Sequence, residues 1–330
     1  MSDRTIAAAA PVVREKFSDP DWTAKGEKRA IVGLDRLVTL WINTGTLCNI
    51  TCRNCYIESS PSNDRLAYMT RAETAEFLDE AKALGAREIG FTGGEPFLNP
   101  DILGMLTDAL ARGFEVLVLT NAMLPMQRPQ IKKGLIALKG EHGDRLAVRV
   151  SLDHFTRTLH EIERGADTFD KTVEGLNWLA ANSFKIAIAG RTCWNETDES
   201  EREGYARLIA EHGWAIDPAD HKQLMLLPEM EAGYDGPEIT AKCWDILHKS
   251  PSDMMCASSR MVVKRKGADV PVVLPCTLLP YTPRLTWDRH SSPRAVPTGT
   301  CSTAARSNSA TRIAPSSACS AAEAVRDCAQ

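Results

Sequence analysis

Short apolar runs alternate with segments of helical period over most of the chain. The apolar runs are rich in Val, Ile, Leu and Thr, which is typical of buried strands. The segments between them repeat apolar residues every three to four positions, which predicts helices with one buried face. The predicted strands are Leu37–Ile42, Glu88–Thr92, Phe114–Thr120, Leu146–Ser151, Phe184–Ala189 and Gln223–Leu227, and the predicted helices lie at 70–84, 100–111, 129–139, 168–181 and 200–212.

The helix at 70–84 has the clearest local signals. Thr70 with Glu73 three residues later is a capping-box pattern, and Gly85 follows the last apolar position. Six strands separated by single helices indicate parallel βαβ units with right-handed crossovers, hence an α/β fold. The spacing alone does not separate an open doubly wound sheet from a partial or full barrel.

The alternation stops after the sixth strand. Residues 237–249 have a helical pattern, and Met261–Lys264 and Val270–Leu274 predict a hairpin that turns near Gly267. We therefore divide the chain into an N-terminal arm at 1–30, the α/β unit at 31–232, a small C-terminal appendage at 233–288 and a tail at 289–330.

The tail differs abruptly in composition from the rest of the chain. Ala, Ser and Thr make up 22 of its 42 residues, and Leu, Met, Phe, Tyr, Trp and Lys do not occur in it. Such a segment buries too little apolar surface to offset its ordering entropy, which predicts disorder. An out-of-frame ending of the gene near codons 282–290 would give the same composition.

Composition places the chain among ordinary globular proteins. It has 330 residues, of which 43% are hydrophobic and 25% charged, and a net charge of −4. No run of 18 apolar residues occurs, which argues against a membrane-spanning helix. Nothing in the charge balance suggests a nucleic-acid surface. The N-terminal residues make a poor signal peptide, so we expect a reducing, cytoplasmic compartment.

Three cysteines within eight residues are the strongest chemical signal. Cys48, Cys52 and Cys55 follow the first predicted strand, at the edge where α/β proteins bind ligands. Three thiolates suit an iron–sulfur cluster with one open iron. Structural zinc usually needs four protein ligands in two close pairs, and no second close Cys pair follows. The pattern favours iron–sulfur over zinc and over plain buried thiols, without excluding either.

A second motif gives these cysteines a family resemblance. Cys48-x3-Cys52-x2-Cys55, followed by Tyr56, and Thr92-Gly93-Gly94-Glu95-Pro96 together resemble the radical S-adenosylmethionine (SAM) superfamily, in particular the branch that matures molybdopterin and pyrroloquinoline quinone. The resemblance covers about 36–230 and implies a partial parallel (β/α)6 barrel. It also implies a [4Fe-4S] cluster that helps to cleave SAM reductively to a 5′-deoxyadenosyl radical, which takes hydrogen from a substrate.

The same resemblance assigns SAM-binding positions. Gly93, Gly94, Glu95 and Pro96 correspond to the element that holds the SAM amino group, and a glycine without a Cβ lets the backbone approach the methionine end closely. Further matches lie at later strand ends, where Ile186 and Cys193 depart from the fifth-strand pattern near the adenine. Thr120 and Asn121 resemble the T-N element of the branch that includes the enzymes of molybdopterin and pyrroloquinoline quinone biosynthesis. Ser151 and Asp153 match the positions that hydrogen-bond the SAM ribose, Ile188 lies near the adenine, and Arg191 is the candidate for the SAM carboxylate.

The remaining cysteines and polar residues suggest secondary sites, and the resemblance implies partners. Cys256 and Cys276 flank the hairpin and resemble part of an auxiliary iron–sulfur site, although their spacing departs from the family's pattern. His154, Arg191 and Glu229 are candidates to face the barrel interior. The resemblance implies an electron donor such as flavodoxin or ferredoxin, and a peptide or small-molecule substrate for peptide modification or cofactor assembly. The alternative is a non-catalytic zinc or iron–sulfur protein.

Overall fold

Eight strands form one sheet in the computed structural model, which describes residues 15–19, 21–228 and 236–281 and a short strand at Cys319–Ser320. In spatial order the sheet runs β7-β6-β5-β4-β3-β2-β8-β9. Its strands are β2 (Thr39–Asn43), β3 (Glu88–Thr92), β4 (Glu115–Thr120), β5 (Leu146–Ser151), β6 (Lys185–Thr192), β7 (Leu224–Pro228), β8 (Ser259–Val263) and β9 (Val272–Leu274).

The six strands predicted from the sequence are the six consecutive parallel strands β2 to β7. Each pairs with the next in parallel register, for example Thr39 with Glu88 in β2 and β3 and Ser151 with Ala189 in β5 and β6. The α/β class and the partial barrel expected from the resemblance are confirmed. The helices are α1 (Arg71–Ala83), α2 (Ile102–Ala111), α3 (Leu124–Gln127), α4 (Pro129–His142), α5 (Arg157–Arg164), α6 (Phe169–Ala181), α7 (Asp198–His212) and α8 (Cys243–Ile246).

The main core lies between the sheet and the helices. Along β5, Leu146, Val148 and Val150 are fully buried in it, whereas Arg149 and Ser151 on the opposite face keep some exposure. This alternation follows from the two-residue period of a strand. The opposite face is the inner face of the partial barrel, and its carboxyl-terminal edge carries the predicted motifs.

The predicted hairpin forms, and it extends the barrel sheet. β8 pairs in parallel with β2, and β9 pairs antiparallel with β8, so Thr39 lies opposite Ser259 and Met261 opposite Leu274. The residues at 259–274 are therefore continuous with the α/β unit through the edge of its first strand. The division into domains stays a prediction.

A second hydrophobic cluster joins this hairpin to the cysteine segment. Its buried members are Ile57 and Leu66 from the segment after the cysteines and Met261, Val263 and Leu274 from the hairpin. Trp41 and the partly buried Cys55 pack against it. The hydroxyl of Tyr281 also donates to the carbonyl of Ile57 (2.6 Å). The hairpin thus supports the loop that carries the cysteines.

One helix predicted from the sequence is wrong, and one helix of the site was missed. The helix predicted at 237–249 is reduced to Cys243–Ile246, because the preceding backbone pairs with the N-terminal arm: the N–H of Ala30 donates to Ile239 (3.0 Å) and that of Ala241 to Lys28 (3.0 Å). Helix α5 was not predicted at all, although it carries residues of the site.

The described part of the arm, 15–19 and 21–30, packs against residues near 238. The buried guanidinium of Arg29 forms an ion pair with Glu238. Next to the arm, β1 (Ile31–Val32) pairs antiparallel with β10 (Cys319–Ser320). The rest of the predicted tail lies outside the described residues. None of the described helices has the length and apolar character needed to cross a membrane.

Candidate active site

The loop that carries the three cysteines and the Gly-Gly-Glu-Pro loop are joined by backbone hydrogen bonds. They leave the carboxyl ends of the neighbouring strands β2 and β3. The N–H of Gly94 donates to the carbonyl of Gly45 (2.8 Å), and the N–H of Glu95 donates to Leu47 (3.1 Å). The side chain of Asn99 also donates to the carbonyl of Thr44 (3.0 Å). The Gly-Gly-Glu-Pro loop therefore fixes the start of the cysteine loop.

The two glycines of the motif are required by this contact. A Cβ on Gly94 would lie 2.2 Å from the carbonyl oxygen of Leu47, and a Cβ on Gly93 would lie 2.4 Å from that of Gly45. Gly93 also has a φ of +142°, which side chains rarely adopt. The sequence attributed the glycines to close approach of SAM. The structure shows a different close approach, between the two motif loops.

The three cysteines lie close enough to influence one another electrostatically. Burial, together with the nearby Glu95, Cys52 and Cys55, raises the pKa of Cys48 to about 12, and a backbone hydrogen bond from Ile50 opposes the rise. Burial raises the pKa of Cys52 to about 11, while the charge of Arg164 opposes the rise. A bound cation would compensate this desolvation of the thiolates.

The chemistry of the donor set suits an iron–sulfur cluster. Soft thiolates are the usual ligands of such a cluster, and a cube spreads its thiolate ligands over separate iron atoms. Three partly or fully buried cysteines on one loop therefore fit a [4Fe-4S] cluster with one open corner.

Glu95 connects the cysteine side of the site to the end of β4. Its carboxylate is 1% exposed and accepts hydrogen bonds from the Thr120 hydroxyl (2.8 Å), the Asn121 N–H (2.9 Å) and the Phe97 N–H (3.2 Å). Burial raises the pKa of this carboxyl group to about 7, and the hydrogen bonds lower it. Pro96 is buried at the start of a 3-10 helix, Pro96–Leu98.

Asn121 continues this connection to the first cysteine. Its side-chain amide donates to Asn49 Oδ1 (2.9 Å) and lies 3.9 Å from the sulfur of Cys48. The structure therefore brings together Cys48, Glu95, Thr120 and Asn121 from three strand ends. Their proposed cofactor contacts remain predictions.

Helix α5 holds the other end of the cysteine loop through Glu163. The backbone carbonyl of Glu163 accepts from the N–H of Arg53 (2.8 Å), and its carboxylate accepts from the N–H of Asn54 (2.7 Å). Arg191 donates to the carbonyl of Asn54 (3.0 Å). The turn between Cys52 and Cys55 is thus held on both sides by distant residues, and we call this arrangement the Glu163 clamp.

Asp153 lies in a buried network of charges. Arg164 approaches its carboxylate with two nitrogens, at 2.6 and 3.0 Å, and Arg191 lies 3.6 Å away. The sequence assigned Asp153 to the SAM ribose and Arg191 to the SAM carboxylate. In the structure, the side chain of Asp153 is occupied by two arginines, and Arg191 also contacts Asn54.

The remaining predicted positions lie apart from this group. Ile188 is fully buried in the main core, so its side chain does not reach the inner face. Ser151 lies on the inner face at the end of β5. His154 is buried against Phe155 and hydrogen-bonded with Thr156 (2.8 Å). Glu229 lies outside the described residues.

The two predicted auxiliary ligands are neighbours at the base of the hairpin. A hydrogen bond with Cys276 lowers the pKa of Cys256 to about 6, against the effect of burial, and the nearby charge of Arg260 assists it. An auxiliary cluster at this place stays a prediction.

Sequence reasoning missed Glu163 and Arg164, the last two residues of α5. The residues that this helix buries, His160 and Glu163, are both polar, so no apolar stripe marks it. The sequence offered only a weak signal for this helix. Thr156 is a candidate N-cap and Gly165 a candidate helix end, and the eight helical residues lie between them.

Comparison with known proteins agrees with this geometry. The model of the Radical SAM superfamily matches residues 42–209. Mycofactocin maturase MftC of Mycobacterium tuberculosis is 30% identical over 159 residues, 47% of this chain and 38% of that protein. GTP 3′,8-cyclase of Chlorobaculum tepidum is 27% identical over 171 residues, 51% of this chain and 49% of the cyclase. The chain thus spans less than half the length of each of these relatives.

Solved structures show the same fold. The crystal structure of Streptococcus suis SuiB bound to S-adenosylmethionine has a TM-score of 0.57 and 15% identity, covering 77% of this chain and 63% of SuiB. SuiB bound to its precursor peptide SuiA gives a TM-score of 0.56 and 16% identity, covering 75% and 61%. Since the family model matches half of the sequence, this chain belongs to the radical SAM superfamily.

Proposed function

We propose that Cys48, Cys52 and Cys55 hold the [4Fe-4S] cluster that this superfamily uses together with SAM. The observation that carries the proposal is the set of backbone hydrogen bonds joining the cysteine loop to the Gly-Gly-Glu-Pro loop. These bonds bring the three thiols and the second motif to one strand edge. When bound, the cluster and SAM supply a 5′-deoxyadenosyl radical that removes hydrogen from a substrate.

We propose that the protein's own residues order this site in two ways. Gly93, Gly94 and Pro96 shape the loop that faces the SAM amino group, and Glu95 fixes that loop to Thr120 and Asn121. A carboxylate has about four lone-pair sites, and the three donors on Glu95 leave room for an ammonium group. Ser151, on the inner face at the end of β5, lies where the ribose of SAM would bind. The side chain of Ile188 is buried in the core, and Arg191 is engaged by Asp153 and Asn54.

For the reaction itself we propose modification of a peptide. The similarity to a mycofactocin maturase and to SuiB, whose structure contains a precursor peptide, supports this class of substrate. The similarity to a GTP 3′,8-cyclase supports a second candidate, a step in cofactor assembly. A low-potential electron donor such as flavodoxin or ferredoxin would supply the electron.

Anaerobic reconstitution tests the cluster and SAM cleavage together. We expect a brown protein with about four irons per chain, as [4Fe-4S] clusters require, that forms 5′-deoxyadenosine from SAM with dithionite. Cys52→Ala should lose most of the iron and all cleavage, because two thiolates do not fix a cube with one open corner. Cys243→Ala, in α8, serves as the matched control and should keep both.

Two outcomes would contradict the proposal. A colourless protein that binds zinc would support the non-catalytic alternative. Full iron and cleavage in Cys52→Ala would show that the cluster has other ligands. The role of Glu95 is tested separately: Glu95→Ala should weaken SAM binding by about 10-fold or more while keeping the iron, since a charge-assisted bond is lost.

A further inference from the structure

The inner face of the barrel holds one arginine that has no acidic partner within salt-bridge distance among the described residues. Arg149 alternates with the core residues of β5 and so faces the interior. Its Nε is buried and has no hydrogen-bond partner in the part of the chain that the structure describes. The described contact of its guanidinium is the sulfur of Met225, at 3.9 Å from Nη1, which is a weak acceptor.

This environment does not stabilise a cation. Burial lowers the pKa of Arg149, and the charge that opposes this effect belongs to Glu88 at the start of β3. That carboxylate accepts a hydrogen bond from Thr39 (3.1 Å). A partly buried charge without a close counter-charge loses hydration that nothing nearby replaces, so an anionic ligand would stabilise it.

The position of the guanidinium follows from the strand register. Ala187 on β6 lies beside Arg149, and Ala189 lies beside Ser151 one layer nearer the mouth. Met225 on β7 pairs with Ala189, so the side chain of Arg149 reaches across β6 to β7. The side chains that flank this path on β6, Ala187 and Ala189, are small.

We propose that Arg149 binds a carboxylate group of the substrate inside the barrel. An arginine presents two parallel N–H donors along one edge, which match the two oxygens of a carboxylate. Arg191, also on this face, contacts Asn54 and Asp153, so it serves the cysteine loop instead. The inference rests on the proposed peptide-modifying function and adds that the modified segment carries an acidic side chain or a free chain terminus near the reacting position.

The experiment compares wild-type protein with Arg149→Met, both reconstituted with the cluster. The probes are three acetylated tripeptides: Ala-Glu-Ala with an amidated end, Ala-Ala-Ala with a free carboxylate, and Ala-Gln-Ala with an amidated end as the neutral control. Binding is measured by calorimetry and by the shift of the thermal unfolding midpoint. The first two peptides distinguish a side-chain carboxylate from a terminal one.

We expect wild-type protein to bind at least one acidic peptide about 10-fold or more tightly than the neutral control, and Arg149→Met to lose that preference. We also expect Arg149→Met to be at least as stable as wild type, because methionine removes a partly buried charge that has no close counter-charge. Arg207→Met, at an exposed position on α7, should change neither property.

Three results would overturn the proposal. A lower unfolding midpoint in Arg149→Met would mean that the guanidinium is already paired within the chain. Equal binding of all three peptides to wild type would show that the site does not recognise a carboxylate. The same preference for an acidic peptide in Arg149→Met would show that Arg149 is not the residue that binds it. None of these results depends on the cysteine variants, so a failure here is distinct from a failure of the cluster assignment, which appears as retained iron in Cys52→Ala.

Discussion

The two sides of the candidate site are built by different forces. The motif side, which consists of the cysteine loop and residues 93–96, is held by backbone hydrogen bonds and by glycines that allow close contact. The charge side, which consists of Asp153, Glu163, Arg164 and Arg191, is held by buried ion pairs and by the Glu163 clamp. Local sequence identified the first side and, on the second side, the positions Asp153 and Arg191. Glu163, Arg164 and the ion pairs of the second side become visible only through tertiary contacts.

The largest effect should come from breaking the charge side. Arg164→Met leaves the buried carboxylate of Asp153 with Arg191 at 3.6 Å as its closest described cation. Removing one partner of a buried pair costs about 3–5 kcal/mol of unfolding free energy. Urea denaturation measures this. Arg157, like Arg164, lies on α5, and its exposed ion pair joins it to Asp170 on α6. Arg157→Met, which removes this pair, should cost less than about 1 kcal/mol. A similar loss of unfolding free energy in both variants would contradict the difference that we expect between a buried and an exposed ion pair.

Glu163→Ala should release the clamp without touching a cysteine. A buried hydrogen bond to a charged group contributes about 1.5–3 kcal/mol, so we expect a loss of that size. Hydrogen exchange in the cluster-free protein should show faster exchange of the Asn54 amide. Glu161→Ala on the same helix, where the carboxylate faces Phe169, is the control. Unchanged protection of Asn54 would show that Glu163 does not hold the turn.

Gly94→Ala tests the motif side directly. The new Cβ would meet the backbone of Leu47 at 2.2 Å, and overpacking of this kind costs about 1–3 kcal/mol. Separation of the two loops should also reduce the iron retained after reconstitution. Gly140→Ala, in α4, meets no atom within 4 Å and should be neutral or slightly stabilising. Normal stability and iron in Gly94→Ala would mean that the loops tolerate separation.

The smallest effect concerns pH. Glu201 on α7 is buried, both of its carboxylate oxygens lack hydrogen-bond partners among the described residues, and burial with nearby Glu196 and Asp198 raises its pKa to about 7. The folded protein therefore binds this proton more tightly than the unfolded chain, so stability should fall as pH rises from 4.5 to about 7.

Glu201→Gln should reduce the loss of stability with rising pH, and it should stabilise the protein by about 1 kcal/mol at pH 8. Urea denaturation at pH 5 and pH 8 provides the comparison. Because Glu95 also has a pKa raised to about 7, some pH dependence should remain in the variant. If the unfolding free energy of Glu201→Gln depended on pH as strongly as that of wild type, another group would be responsible for the pH dependence.

How far the sequence predicts the fold depends on which residues an element buries. The six parallel strands bury apolar side chains at a regular period, and the predicted capping box of Thr70 and Glu73 is present in α1. Helix α5 was missed because it buries polar residues, and the helix at 237–249 was predicted where the backbone instead pairs with Lys28 and Ala30.

Within the site, the sequence identified single positions better than their contacts. The cysteines and Gly-Gly-Glu-Pro are contiguous, so their joint position at one edge follows from the parallel topology. That Gly94 packs against Leu47, or that Asp153 is enclosed by Arg164 and Arg191, depends on distances across the fold. No local pattern encodes such distances.

The pairing of β8 with β2 also has a consequence for biosynthesis. Thr39 and Ser259 are opposite each other, which places 220 positions between the two strands. At a synthesis rate of about 5–20 residues per second, the edge of β2 waits roughly 10–40 seconds for its neighbour. During that time it presents an open row of donors and acceptors, the condition in which nascent chains associate wrongly. The strand that leads into the cysteine loop is therefore open to wrong pairing until β8 has been synthesised.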